Sequence, residues 1–289
     1  VSASPGRTVL GRTVLGRTVL GNRRAMATGD GPRRWTRVVA WVLFGATVIV
    51  QIIFPYTDGG TLSLTVASVL LLTAAVIVDV GVTRGPGAAM ILVVVAGGGG
   101  LLAETIGVHT GLPFGTYSYS GTLGPEVLGV PALVPCAWIM MAWPALAAAR
   151  RLVGTRRRWA TAAVAALALT SWDVFLDPQM VDQGHWEWRY PTPAIPGVEG
   201  IPVTNFVGWM LVSLVMMVLL DRFISRGPST PPPADALPIA VYLWTYVSSV
   251  LAHAVFFGRP PVALVGGLIM GVVAVPLAIN VIREVRDAR

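Results

Sequence analysis

The sequence predicts an all-α fold, a polytopic integral membrane bundle of about eight transmembrane helices with both termini in the cytoplasm. Three observations carry this reading. First, 54% of the 289 residues are hydrophobic and only 12% are charged, too few charges to cover a soluble domain of this length. Second, the mean hydropathy is +0.70, and the apolar residues gather in runs near the ~20 that a helix needs to cross ~30 Å of hydrocarbon. Third, the basic residues are all arginine and concentrate in alternate gaps between those runs.

The chain opens with Gly-Arg-Thr-Val-Leu in tandem from Gly6, Gly11 and Gly16, before Met26 begins a more ordinary start. Residues 1–34 are expected to be a disordered leader, with Met26 as the true start of translation. The apolar runs then fall at 35–54, 62–80, 88–106, 131–149, 159–177, 201–221, 237–257 and 261–282. They lack the alternation of a barrel strand, so helices are the expected spanning form. A single membrane domain is expected over 35–283, with a Pro-rich linker at 226–236 and a short tail at 284–289.

Orientation follows from arginine. Beyond residue 25, fourteen arginines flank alternate gaps, among them Arg84, Arg150, Arg151, Arg222 and Arg283, while only Arg189 and Arg259 lie on the other side. The positive-inside rule places the arginine-rich side and both termini in the cytoplasm, which requires an even number of spans. A nucleic-acid partner is not indicated, because the net charge of +7 sits at span ends. The single cysteine, Cys136, excludes an internal disulfide and a cysteine metal cluster.

The informative polar residues are carboxylates within apolar spans, which are costly and mark function by default. Asp173 and Asp177, in Ser-Trp-Asp-Val-Phe-Leu-Asp-Pro, share one helix face. The bland reading is a helix leaving the membrane, stopped by Pro178. The functional reading is an acid/base pair. Burial, a second carboxyl and the helix C-terminal dipole all disfavour ionisation, so one aspartate is expected to keep its proton at neutral pH. Glu104 is a third acid for the same pocket, or an interfacial carboxylate. In the two long outer connections, His109 and His185 are either solvated or functional, and His253 reads as a buried histidine with a helix partner. Around Trp186-Glu-Trp188 an extended chain would turn His185 and Glu187 one way and both tryptophans the other. Phe114, Tyr117, Tyr119 and Trp172 are candidates to line a pocket and stabilise a cation, although Trp and Tyr also favour membrane interfaces. Asn205 is an intramembrane amide expected to bond within the bundle. Gly97–Gly100 lacks the Lys and Ser/Thr of a phosphate loop and suits close helix packing.

At the two long connections the sequence resembles the bacterial and archaeal carotenoid-biosynthesis membrane proteins, a family that includes carotenoid 1′,2′-hydratases and bisanhydrobacterioruberin hydratase. The resemblance rests on Glu104 with Gly107 and Pro113-Phe-Gly-Thr-Tyr, Leu123-Gly-Pro with Val130-Pro131, Trp172-Asp173 with Leu176-Asp-Pro178, Trp186-Glu-Trp188, and Gly200-Ile-Pro with Asn205-Phe and Gly208-Trp209. It implies acid-catalysed addition of water to the terminal double bond of an acyclic carotenoid end group, without cofactor or metal. Asp173 and Asp177 are then the expected acid/base pair in an order left open, with Glu104 as support. Phe114, Tyr117, Tyr119, Trp172, His185, Trp186, Trp188 and Asn205 are the expected substrate-binding residues. The implied partners are the carotenoid, arriving from the lipid phase, and membrane lipid. Association with other carotenoid enzymes is compatible with this reading. The implied location is the bacterial cytoplasmic membrane. Two other classes remain in view: a transporter or scaffold for pigment enzymes, and a metal-dependent membrane hydrolase or oxygenase.

Overall fold

A computed structural model describes residues 30–57, 61–154, 157–225 and 235–287. Of the expected leader over 1–34, residues 1–29 lie outside the described residues, as does most of the Pro-rich linker, and from Asp30 the chain is helical. The chain divides into two units, Val1–Trp35 and Thr36–Arg289. Of the first, only the start of a helix is described, and the membrane bundle belongs to the second.

Among the described residues, eight helices are long and apolar enough to cross a membrane: α1 (Arg34–Tyr56), α2 (Leu62–Thr83), α3 (Pro86–Thr110), α4 (Leu133–Val153), α5 (Arg158–Asp182), α6 (Val203–Phe223), α7 (Ala236–Phe256) and α8 (Pro260–Asp287). The protein is an all-α polytopic membrane bundle. Helices α4 and α5 form its centre, with 67% of each apolar window buried, against 22% for α1. Small residues allow this. Ala142, Ala145 and Ala148 of α4, and Ala162, Ala165 and Ala166 of α5, are all buried, and small side chains let helix backbones approach closely where lipid supplies no hydrophobic drive. Around this pair, α6 and α8 pack on α5, and α2 packs on α4.

Two spans are not plain α-helix. Val93–Gly98 in α3 and Ala252–Phe256 in α7 are widened π turns. Helix α5 also runs on through Pro178 to Asp182. The expectation that Pro178 ends the helix is therefore corrected. Proline removes one N–H and stresses one preceding carbonyl, and a helix held by neighbours tolerates that. The consequence is that Asp173 and Asp177 stand inside the helix, and the terminal dipole, which fades within the last turn, has little hold on them.

The arginine-rich ends are tied by ion pairs different from those adjacent in sequence. Asp79 with Arg84, and Asp221 with Arg222, read as boundary charges. Instead Arg84 pairs with Asp235 at 2.6 Å and Arg150 with Asp221 at 2.9 Å. Both guanidiniums stand over Trp143, at 5.6 and 5.7 Å, and its indole N–H donates to Asp79 at 3.3 Å. At the opposite end the two long connections join. Strand β1 (Tyr117–Tyr119) pairs antiparallel with β4 (Trp186–Trp188), with Tyr117 opposite Trp188 and Tyr119 opposite Trp186. Two short hairpins, β2 (Glu126–Val127) with β3 (Val130–Pro131) and β5 (Ala194–Ile195) with β6 (Val198–Pro202), complete this cap.

A buried carboxylate cavity as the candidate active site

Glu104 lies near the end of α3 and is buried. Its Oε2 accepts from the Tyr117 hydroxyl at 2.5 Å and the Tyr119 hydroxyl at 3.0 Å, and its Oε1 accepts from the Trp138 indole N–H at 3.2 Å. Two glycines on the same helix make room for these donors. A Cβ on Gly100 would stand 2.6 Å from Trp138 Cγ, and one on Gly107 would stand 2.7 Å from the Tyr117 hydroxyl. The tyrosines reach Glu104 from one face of β1, as positions two apart on a strand must. Burial, followed by the neighbouring Glu104 carboxylate, pushes both phenols well above their ordinary range, so both remain donors.

Asp173 and Asp177 sit one turn apart on α5, both buried. Asn205, in the first turn of α6, bridges them. Its amide nitrogen donates to Asp173 Oδ2 at 2.9 Å and to Asp177 Oδ2 at 2.5 Å. The Trp186 indole N–H, delivered by β4, donates to Asp177 Oδ1 at 3.2 Å. Both oxygens of Asp177 are thus engaged, whereas Asp173 Oδ1 is buried with no partner.

These groups border a cavity of about 200 Å³. Glu104, Asp177 and Asn205 are on its wall, together with Trp138, Trp172 and Trp209. Trp138 and Trp209 stack at 4.0 Å and 9°, and Trp172 meets Trp209 edge-on at 6.4 Å. Phe114, Tyr117, Tyr119, Trp186 and Trp188 also line it, toward the cap. Two of the residues singled out in the sequence are placed elsewhere. Asp173 lies behind Asp177, off the wall. His185 holds the cap together, its Nδ1 2.8 Å from the Thr122 hydroxyl, with burial lowering its imidazole below the usual value. The alternation expected around β4 holds for Trp186, Glu187 and Trp188 but not for His185, which is buried like the tryptophans. His109 is exposed and bonds back to the Thr105 carbonyl at 2.8 Å.

Sequence reasoning missed other parts of the wall. Trp138 and Trp209 look like ordinary span tryptophans, and only the spacing of Gly100 and Gly107 around Glu104 hints that large side chains close on it. The cavity also reaches α1, α2 and α7, where Gln51 donates to the Ser68 hydroxyl at 3.0 Å and accepts from the Trp244 indole at 2.6 Å. Among the described residues, no three His, Cys, Asp or Glu side chains gather as a metal site.

Chemically, the arrangement presents one carboxyl of an amide-bridged aspartate pair and a second, three-donor carboxylate to an apolar, aromatic-walled space. The profile of a family described as "Carotenoid biosynthesis protein" matches residues 62–273, which include Glu104, Asp173, Asp177 and Asn205. The chain is 30% identical over 164 residues to bisanhydrobacterioruberin hydratase of Haloarcula japonica, an alignment covering 54% of each protein. The match thus spans about half the length of that relative. No solved structure matches the chain. With its family match extending from α2 into α8, this chain belongs to the carotenoid biosynthesis protein family.

Proposed function

We propose that the protein adds water across the terminal trisubstituted double bond of an acyclic carotenoid end group. The observation that carries the reading is the placement of Asp177 and Glu104 on one aromatic-walled apolar cavity, with Asp173 behind Asp177 and joined to it through Asn205. Two negative charges this close in an apolar interior repel strongly, so the aspartate pair shares a proton. Asp177, the member on the cavity wall, delivers that proton to the less substituted alkene carbon. The adjacent carbon becomes a tertiary cation. The faces of Trp172 and Trp209 and the charge of Glu104 stabilise it. Water then attacks the cation, and Glu104 takes the proton that water releases. Returning a proton to the aspartate pair completes the cycle.

In this scheme Asp173 and Asn205 position Asp177, and the three donors around Glu104 fix its oxygens. The long remainder of the carotenoid stays in lipid, which accounts for an enzyme that is itself membrane-embedded. By the arginine distribution, the site belongs in the outer half of a bacterial cytoplasmic membrane. The experiment is expression in cells that accumulate lycopene. A more polar, hydroxylated pigment supports the proposal, and unchanged pigment beside abundant folded protein contradicts it.

A further inference from the structure

Besides the carboxylates, the cavity has a polar group that hydration as described leaves without a role. His253 lies in the π turn of α7, is 1% exposed, and lines the cavity. Its Nε2 stands 3.1 Å from the Phe175 carbonyl. A carbonyl oxygen can only accept, so Nε2 carries the hydrogen and the neutral ring presents Nδ1 as a bare acceptor. Nδ1 is buried and has no partner among the described residues, a condition that calls for an explanation in a folded protein. The rings flanking the imidazole, Phe175 at 5.5 Å and Phe257 edge-on at 5.3 Å, also line the cavity, as do the preceding Ser248 and Ser249. A bare acceptor framed by aromatic rings suits a neutral O–H donor, neither a cation nor an anion. A π turn is also a frequent mark of a functional position.

We propose that His253 forms a second polar subsite of the cavity and accepts a hydrogen bond from a hydroxyl group. Two sources share that chemistry: a water molecule awaiting addition, and a hydroxyl already carried on the isoprenoid chain. The inference rests on the proposed hydration only in naming these two sources.

The test uses the full chain in detergent with ring-¹⁵N histidine, the His253 signals being assigned by comparison with H253N. The probes are linalool, a tertiary terpene alcohol, and myrcene, the corresponding hydrocarbon. An Nδ1 already hydrogen-bonded before any addition identifies water as the occupant. An Nδ1 that becomes hydrogen-bonded with linalool and not with myrcene identifies a chain hydroxyl. An Nδ1 that stays unbonded in both cases overturns the proposal. This readout does not need turnover, so it stands or falls separately from hydration. Where pigment is hydrated, H253N keeps an acceptor oxygen at the Nδ1 position and loses less activity than H253Q. H253Q keeps the Phe175 contact but loses that acceptor, and activity falls about tenfold, one hydrogen bond's worth. Equal activity in both variants and the wild type would also overturn the proposal.

Discussion

Replacing Asn205 with leucine removes the amide that bridges the aspartate pair while keeping the branched shape of the side chain. Asn205 donates at 2.9 Å to Asp173 and at 2.5 Å to Asp177. A hydrogen bond to a charged group contributes about 1.5–3 kcal/mol and one to a neutral group about 0.5–1.5 kcal/mol, and an abandoned buried acceptor bears its desolvation cost in full. Losing both bonds therefore destabilises the protein by about 2–4 kcal/mol. If half of that loss falls on the reacting geometry of Asp177, turnover drops about 5- to 30-fold, at about 1.4 kcal/mol per factor of ten. The assay pairs denaturation of the detergent-solubilised variant with pigment hydration by the same preparation. A variant with wild-type stability and wild-type turnover would refute the bridging role of Asn205.

Three other perturbations have defined outcomes. Gly100→Ala drives a methyl to 2.6 Å from Trp138 Cγ and displaces the donor to Glu104. Overpacking of this kind costs about 1–3 kcal/mol, and activity should fall in a variant that still folds; unchanged thermal stability would contradict the close approach. Arg150→Leu removes the guanidinium 2.9 Å from Asp221 and should cost about 1.5–3 kcal/mol, part of it recovered in the R150L/D221L double variant; no recovery in the double variant would contradict the pairing. His185 is lowered by burial, so the unfolded chain takes up its proton first as pH falls. Its contribution is present above the ordinary histidine value of about 6.5 and is lost as pH drops below it. The melting temperature of the wild type should therefore fall relative to His185→Gln between about pH 7 and 5, and parallel curves would contradict the assignment.

The spans were legible because the bilayer imposes a length and an apolarity that a sequence must carry in one continuous run. The eight runs read from composition each fall on one of the eight helices, with ends shifted by a few residues. The carboxylates were legible for the same reason, since Glu104, Asp173 and Asp177 interrupt runs that otherwise exclude charge. Which face of α5 meets the cavity was not legible. Asp173 and Asp177 share a helix side, but the neighbouring helices decide that Asp177 borders the cavity and Asp173 does not. The same limit hid the partners of Asn205 and Trp138, both of which bond to residues about thirty positions away. The Gln51, Ser68 and Trp244 contact joins three separate helices and leaves no periodic trace in any one of them. Helix α5 continuing past Pro178 was unreadable locally, because tertiary packing overrides the proline.

The most direct test of the central claim, proton delivery from Asp177 to a terminal alkene carbon, is isotopic. Membranes carrying the wild type or Asp177→Asn are given lycopene in deuterated water, and the pigments are weighed by mass spectrometry after exchangeable deuterium is washed out. The wild type should yield a hydroxylated pigment with a single carbon-bound deuterium for each new hydroxyl, and the folded variant should yield none. Hydroxylated pigment lacking carbon-bound deuterium, or equal product from Asp177→Asn, would contradict the account.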